Sequence, residues 1–197
     1  MIIEGPLINA TFIERPNRFI TIIEINGELH RSHLPDPGRL KELLTPNAKL
    51  LVRPAPEASD RKTSFSTVMV EHKGQLISLV STLPNKFIDH ALKNNKIPIL
   101  RPYTFIRSEI TVKNHRFDFL LNDNKANKFY LEVKSVTLVE NGIAKFPDAI
   151  TKRGMNHAKA LMNLVSKGFQ AGILFVCQRP DATSFSPMWD RDPKFAM

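Results

Sequence analysis

One cysteine, Cys177, is all the chain has, so no intrachain disulfide can brace it. It lies in an apolar run, Gly172 to Gln178, and reads as a packing residue. No Cys/His cluster has zinc-binding spacing, which sets aside zinc modules. No run of about 18 apolar residues could span a membrane. The N-terminus lacks a charged-then-apolar signal pattern, so a cytoplasmic protein without a membrane partner is expected. Internal repeats and low-complexity segments are also missing, which excludes solenoids and disordered tails.

What is present is a globular composition, 42% hydrophobic and 24% charged over 197 residues. That length allows one large domain or two small ones. The formal net charge is +9, and its distribution is uneven. Residues 1–83 carry 10 Lys+Arg against 9 Asp+Glu, whereas residues 84–197 carry 18 against 10. The basic excess of the second half points to a polyanion, most simply nucleic acid.

The central stretch is His115 to Ser135. Two runs rich in Phe, Leu, Val and Tyr flank the turn-forming segment Asn122 to Lys128. A hairpin symmetric about Lys125 pairs Phe117 with Val133, Phe119 with Leu131 and Leu121 with Phe129, giving one apolar face. The other face sets Arg116 against Lys134 and Asp118 against Glu132. Two opposed carboxylates repel. A hard divalent cation, Mg²⁺ or Mn²⁺, held between Asp118 and Glu132 removes that conflict. Lys134 shares the face of Glu132 and would sit beside the metal. Scattered charges on a solvated face would give the same residues.

Along the chain, residues 1–83 read as strands at Leu7–Glu14, Phe19–Ile25, Glu28–Leu34, Lys49–Arg53, Phe65–His72 and Gln75–Val80, with turns at Asn26-Gly27 and Lys73-Gly74. A short helix at Leu40–Leu44, with Asp36 or the loop backbone as its cap, completes an OB-like order. This half holds no rich aromatic platform for stacking bases. Asn85 is expected to cap a helix from Lys86 to about Asn95 with Phe87, Ala91 and Leu92 as its apolar side. Pro98 and Pro102 bracket an extended link, and Phe105–Lys113 reads as a strand bearing Glu109. A turn is expected at Asn141-Gly142. The helix ending near Lys167 should bury Met155, Ala158, Leu161, Met162 and Val165. Ala171–Gln178 reads as a buried strand. Beyond Arg179, Pro180, Pro187 and Pro193 interrupt regular structure. The order α-β-β-β-α-β in the second half implies a mixed sheet flanked by helices.

An Asp ending one strand and Glu-x-Lys on the next, in that order of elements, resembles the PD-(D/E)xK nuclease superfamily. Longer strings narrow the match. Ser32-His-Leu-Pro-Asp-Pro-Gly-Arg39, Arg116-Phe-Asp-Phe-Leu120, Leu131-Glu-Val-Lys-Ser-Val-Thr-Leu138 and Phe146-Pro-Asp-Ala-Ile-Thr-Lys-Arg-Gly154 with His157 resemble the sugar fermentation stimulation protein A family across the chain. The resemblance implies an OB-fold-like β-barrel at 1–83 and a nuclease-like domain at 84–197, shortened at its C-terminus. It implies largely sequence-nonspecific DNA binding and a regulatory role in maltose and sugar use. Asp118, Glu132 and Lys134 match the nuclease motif, Glu109 an acidic position before it, and Thr151, Arg153 and His157 the following helix. Asp36 stands where many members have Asn, and Lys152 where an acidic residue is common.

Two functions follow as expectations. In the first, the protein is a Mg²⁺- or Mn²⁺-dependent DNA phosphodiesterase. Asp118 and Glu132, with Glu109 in reach, bind the metal; Lys134 aids the chemistry; Arg39, Arg116, Lys152, Arg153 and His157 contact nucleic acid. In the second, it is a non-catalytic DNA-binding regulator of sugar metabolism genes. RNA as the ligand is not excluded by these residues.

Overall fold

Three two-residue turns fix much of the strand pairing. The pairs Asn26-Gly27, Lys73-Gly74 and Asn141-Gly142 all have positive φ at both positions, from 51° to 86°, the geometry that matches the twist of a tight hairpin. The computed structural model describes residues 2–56 and 60–196.

The first strands are β1 (Ile8–Asn17), β2 (Ile20–Ile25), β3 (Glu28–His33), β4 (Lys49–Pro54) and β5 (Phe65–His72). They run in the order β3-β2-β1-β4-β5, and a parallel contact of β3 with β5 at Ser32↔Phe65 closes them into a five-stranded barrel. β6 (Gln75–Ser78) extends the sheet beyond β5 as a hairpin. Phe12, Ile23, Leu50, Val52 and Val70 fill the barrel. Their alternation with exposed residues is what a strand buried on one face requires.

The second unit opens with α1 (Leu83–Lys93), followed by β7 (Thr104–Val112), β8 (His115–Asn122) and β9 (Lys128–Val136). β10 (Val139–Glu140), β11 (Ile143–Phe146), α2 (Lys152–Val165), β12 (Gln170–Cys177), β13 (Ser184–Pro187) and α3 (Pro193–Ala196) complete it. The main sheet has the order β12-β9-β8-β7, with β12 parallel to β9 and the rest antiparallel. α1 packs Ile88 and Leu92 on Phe119, Leu121, Leu131 and Val133. α2 packs Leu161 and Leu164 on the opposite face, against Phe117, Leu120 and Tyr130. A small sheet, β10-β11-β13, lies beside it.

Several local expectations are corrected. Leu40–Leu44 forms a single turn, not a helix; Leu40, at φ 50°, leaves the helical region at the outset. α1 starts before Asn85, because Pro84 fits a first helical turn. Its buried residues include Ile88, while Phe87 is 47% exposed. The link between Pro98 and Pro102 contains a 3₁₀ turn at Pro98–Leu100. α2 buries Gly154, His157, Leu161 and Leu164, leaving Met162 70% exposed. β12 is half-buried along its length because it is an edge strand. The proline-rich end still forms β13 and α3: Pro187 is the last residue of one and Pro193 the first of the other.

Side chains and loops stitch the two units together. The buried Arg179 lies 3.8 Å from Glu42 of the first unit, and the Arg39 N–H donates to Asp148 Oδ2 at 2.6 Å.

Candidate metal centre and nucleic-acid interface

β8 and β9 pair as Asn122↔Lys128, Leu121↔Phe129, Leu120↔Tyr130 and Phe119↔Leu131, the register read from the hairpin's symmetry. The ladder stops one step later. Asp118 faces Glu132 in that register, but the Asp118 side chain takes over the pairing. Its Oδ2 accepts the Val133 N–H at 2.7 Å, and its Oδ1 accepts from Asn85 Nδ2 at 2.7 Å. The β7–β8 ladder also skips this point: Ser108↔Phe119 and Ile110↔Phe117 flank it, and Glu109 between them has φ 53°. Alternation slips by one residue here. Phe117 therefore faces α2 with Leu120 and Tyr130, not the Phe119 side as expected.

Glu132 is only 3% exposed. Its Oε1 accepts from both Lys134 Nζ and His157 Nδ1, the latter at 2.6 Å. The bond to His157 places a proton on Nδ1. His157 reaches Glu132 from α2, whose first turn is set by Thr151: its hydroxyl caps the Gly154 N–H at 2.9 Å. His115 and Phe117 pack edge-on to the His157 ring, at centroid distances of 5.9 and 6.1 Å. The second oxygen, Glu132 Oε2, is buried with no hydrogen-bond partner among the described residues.

Burial pushes the Asp118 carboxyl above its ordinary pKa, and the nearby charge of Glu132 pushes the same way. The Val133 N–H, Lys134 and Asn85 pull it back. Two neighbouring carboxylates, one with a bare buried oxygen, form an all-oxygen donor set that fits a hard divalent cation. Among the described residues, no group of three or more His, Cys, Asp or Glu side chains is arranged around a cation position. Main-chain carbonyl and water would have to complete a shell begun by Asp118 and Glu132.

Glu109 is not drawn into this cluster. Its exposed carboxylate lies 3.9 Å from Arg116, which is exposed as well. Arg116 pairs in the ladder with Thr111 of β7. Lys152 and Arg153 are exposed on the first turn of α2. Arg39 is exposed too, with its backbone N–H bonded to Asp148 Oδ2 at 2.6 Å. Asp148 lies just ahead of α2, so the Arg39 loop of the barrel is tied beside the helix end that carries Lys152 and Arg153.

Three residues gain roles that the chain order does not reveal. Asn85 reads as a helix cap, yet its amide contacts Asp118 across 33 residues. Asp148 reads as a loop residue. Asp36, expected as a helix cap, instead accepts the Gly38 N–H at 2.8 Å within its own loop. The Pro-Asp-Pro-Gly and Phe-Pro-Asp strings marked both loops as unusual, but nothing in them marked their contact.

Residues 82–197 match the profile of the sugar fermentation stimulation protein RE domain, and residues 13–79 match the SfsA N-terminal OB domain. A sugar fermentation stimulation protein homolog of Clostridium botulinum is 44% identical over 196 residues, covering 100% of this chain and 85% of that protein. One from Moorella thermoacetica is 43% identical over 190 residues, covering 96% and 82%. The structure of Pyrococcus furiosus SfsA in complex with Ca²⁺ superposes with a TM-score of 0.86 at 28% identity, covering 98% of this chain and 82% of that one. The barrel, the main sheet and these matches together place the chain in the sugar fermentation stimulation protein family.

Proposed function

We propose that this protein is a divalent-metal-dependent DNA phosphodiesterase, with residues 1–83 and 84–197 as its working domains, acting in the cytoplasm. One observation carries the reading: Glu132 Oε2 is buried without a partner among the described residues, beside the carboxylate of Asp118. A bare carboxylate oxygen in that setting is costly unless a cation meets it. Asp118 and Glu132 would hold Mg²⁺ or Mn²⁺. The Ca²⁺ named with the Pyrococcus furiosus relative supports a divalent ion in this family. When bound, the ion would supply Lewis acidity toward a phosphodiester.

The chain's own groups do the rest. His157 and Lys134 hold Glu132 by one oxygen and leave the other free. The Lys134 ammonium carries a positive charge at the centre, where negative charge on a phosphate develops. Arg39, Lys152 and Arg153 form an exposed basic rim for neighbouring phosphates, contributed by both domains, and Arg116 extends the positive surface on the sheet. Glu109, paired with Arg116, would act on the metal only by leaving that partner.

The test is cleavage of single-stranded and duplex DNA with Mg²⁺ or Mn²⁺, comparing the wild-type protein with Asp118→Ala and Lys134→Ala. Cleavage lost in both variants with DNA binding retained supports the reading. Equal cleavage by all three proteins rejects it.

A second reading has its own observation. No third acidic or histidine ligand joins the pair among the described residues. That favours a DNA-binding regulatory factor for sugar use whose nuclease-like site does not turn over. DNA binding without cleavage under every metal condition would favour it. Competition between RNA and DNA of equal length identifies the preferred nucleic acid.

A further inference from the structure

The two oxygens of Asp118 are pinned from different elements. Val133 of β9 donates its N–H to Oδ2, and Asn85 of α1 donates its side-chain amide to Oδ1, both at 2.7 Å. The first bond is fixed by the backbone. The second depends on one side chain, half-buried in the first turn of α1. Because a carboxylate accepts and cannot donate, the amide nitrogen of Asn85 must be the atom facing Asp118. Without that bond, only the Val133 N–H holds Asp118, and the carboxylate can pivot about that contact to follow the demands of the cation it meets.

Rigidity decides between the two common hard cations. Mg²⁺ demands near-ideal octahedral geometry with short bonds, whereas Ca²⁺ accepts longer bonds and variable coordination. A carboxylate locked by two donors suits the first demand. A mobile one suits the second better than the first. We infer that Asn85 is a positioning residue that holds Asp118 in place and so sets the preference of the site for Mg²⁺ over Ca²⁺. The inference rests on the reading that Asp118 and Glu132 hold a divalent cation. It adds a determinant of selectivity located on a helix outside the hairpin.

The charge of the position makes a second prediction. An acid at residue 85 would remove the donor and place a further negative charge against Asp118 and Glu132. The metal-free protein should then suffer, and a bound cation should relieve it.

The test measures Mg²⁺ and Ca²⁺ affinity by calorimetry on the full chain, without nucleic acid, for wild type, Asn85→Ala, Asn85→Asp and Asp118→Asn. Loss of a residue that orients a metal ligand lowers affinity roughly ten- to a hundredfold. In Asn85→Ala that loss is expected for Mg²⁺, with Ca²⁺ affinity changed far less. Asn85→Asp should melt below wild type in chelator and gain more in melting temperature from saturating Mg²⁺ than wild type does. Equal losses for both ions in Asn85→Ala, or no loss, would overturn the inference. So would an Asn85→Asp protein that melts like wild type in chelator. Asp118→Asn separates the two failures. If it abolishes binding while Asn85→Ala does not change selectivity, only the role of Asn85 falls. If it binds both ions like wild type, the metal reading falls and the inference falls with it.

Discussion

The backbone N–H of Arg39 donates to Asp148 Oδ2 at 2.6 Å, a bond between residues 109 apart that joins the barrel to the loop ahead of α2. Space at this bond is tight. A Cβ added at Gly38 would lie 2.5 Å from Asp148 Oδ2 and 2.9 Å from Asp36 Oδ1, closer than carbon and oxygen can approach. Both oxygens already accept backbone N–H groups, so neither can turn away freely. Gly38→Ala is therefore expected to destabilise the protein by about 1–3 kcal/mol, as overpacking does. Urea unfolding measures it, and a midpoint equal to wild type would show that the seam yields at no cost.

Asp36 makes the same seam sensitive to pH. Burial raises its pKa from the ordinary 3.8 to about 6, assisted by the charge of Asp148 and opposed by the Gly38 N–H and Arg15. A raised carboxyl favours protonation in the folded state. Its unfavourable contribution is absent below the unfolded pKa and grows as pH rises toward the folded one. Asp36→Asn keeps an acceptor for Gly38 and removes the charge. The variant should be more stable than wild type at pH 7 by up to about 3 kcal/mol, a figure from which the pull of Arg15 is already subtracted. The difference should shrink to nothing below about pH 4. Unfolding curves at pH 4 and pH 7 decide it; a gap that stays constant between them contradicts this account.

α2 offers a contrast between adjacent rows of one helix. Leu164 is buried against the sheet and Met162 is 70% exposed. Leu164→Ala should cost about 2–5 kcal/mol. Met162→Ala should stay within about 0.5 kcal/mol of wild type. Thermal or chemical unfolding of the two variants reads the difference directly, and equal costs would mean that the helix face has been assigned wrongly.

That contrast also shows where the sequence is readable. The β8–β9 register could be read because a polar turn separates two alternating apolar runs, and the pairs from Asn122↔Lys128 to Phe119↔Leu131 follow from symmetry alone. The barrel strands and the two-residue turns ending in glycine were legible for the same local reason. Phe117 was not, because the slip at Asp118 depends on a side chain replacing a backbone partner. On α2, two rows one residue apart both have helical spacing. The row with Met155, Met162 and Val165 is the more apolar, yet it lines an open groove with Phe175, Phe185 and Phe195. The buried row contains Gly154 and His157, chosen by a cap and a carboxylate that hydropathy does not register. At the candidate centre, the nearness of Glu132 to Asp118 follows from the hairpin's symmetry, whereas the contact of Asn85 with Asp118, and that of Asp148 with Arg39 at the seam, span distances that no local pattern encodes.

The basic rim predicts a salt signature. Lys152 and Arg153 are both exposed at the start of α2. If each neutralises one phosphate, the double variant Lys152→Ala/Arg153→Ala should bind DNA more weakly at low salt, and the slope of log affinity against log salt should fall by about two. Fluorescence anisotropy in chelator isolates binding from cleavage. An unchanged slope would remove both residues from the interface.

β7 closes one side of the main sheet, and its ladder is broken twice. The pairing with β8 shifts between Phe105 and Arg107, and Glu109 takes φ 53° where a regular strand would be extended. A foreign strand arriving at this border would meet N–H and C=O groups that no longer point in one plane at even spacing. Stacking of one molecule on another through hydrogen bonds along β7 is thereby discouraged, even though Ile106 is exposed there. The same kink that turns Phe117 toward α2 thus also guards the sheet against fibrous self-assembly.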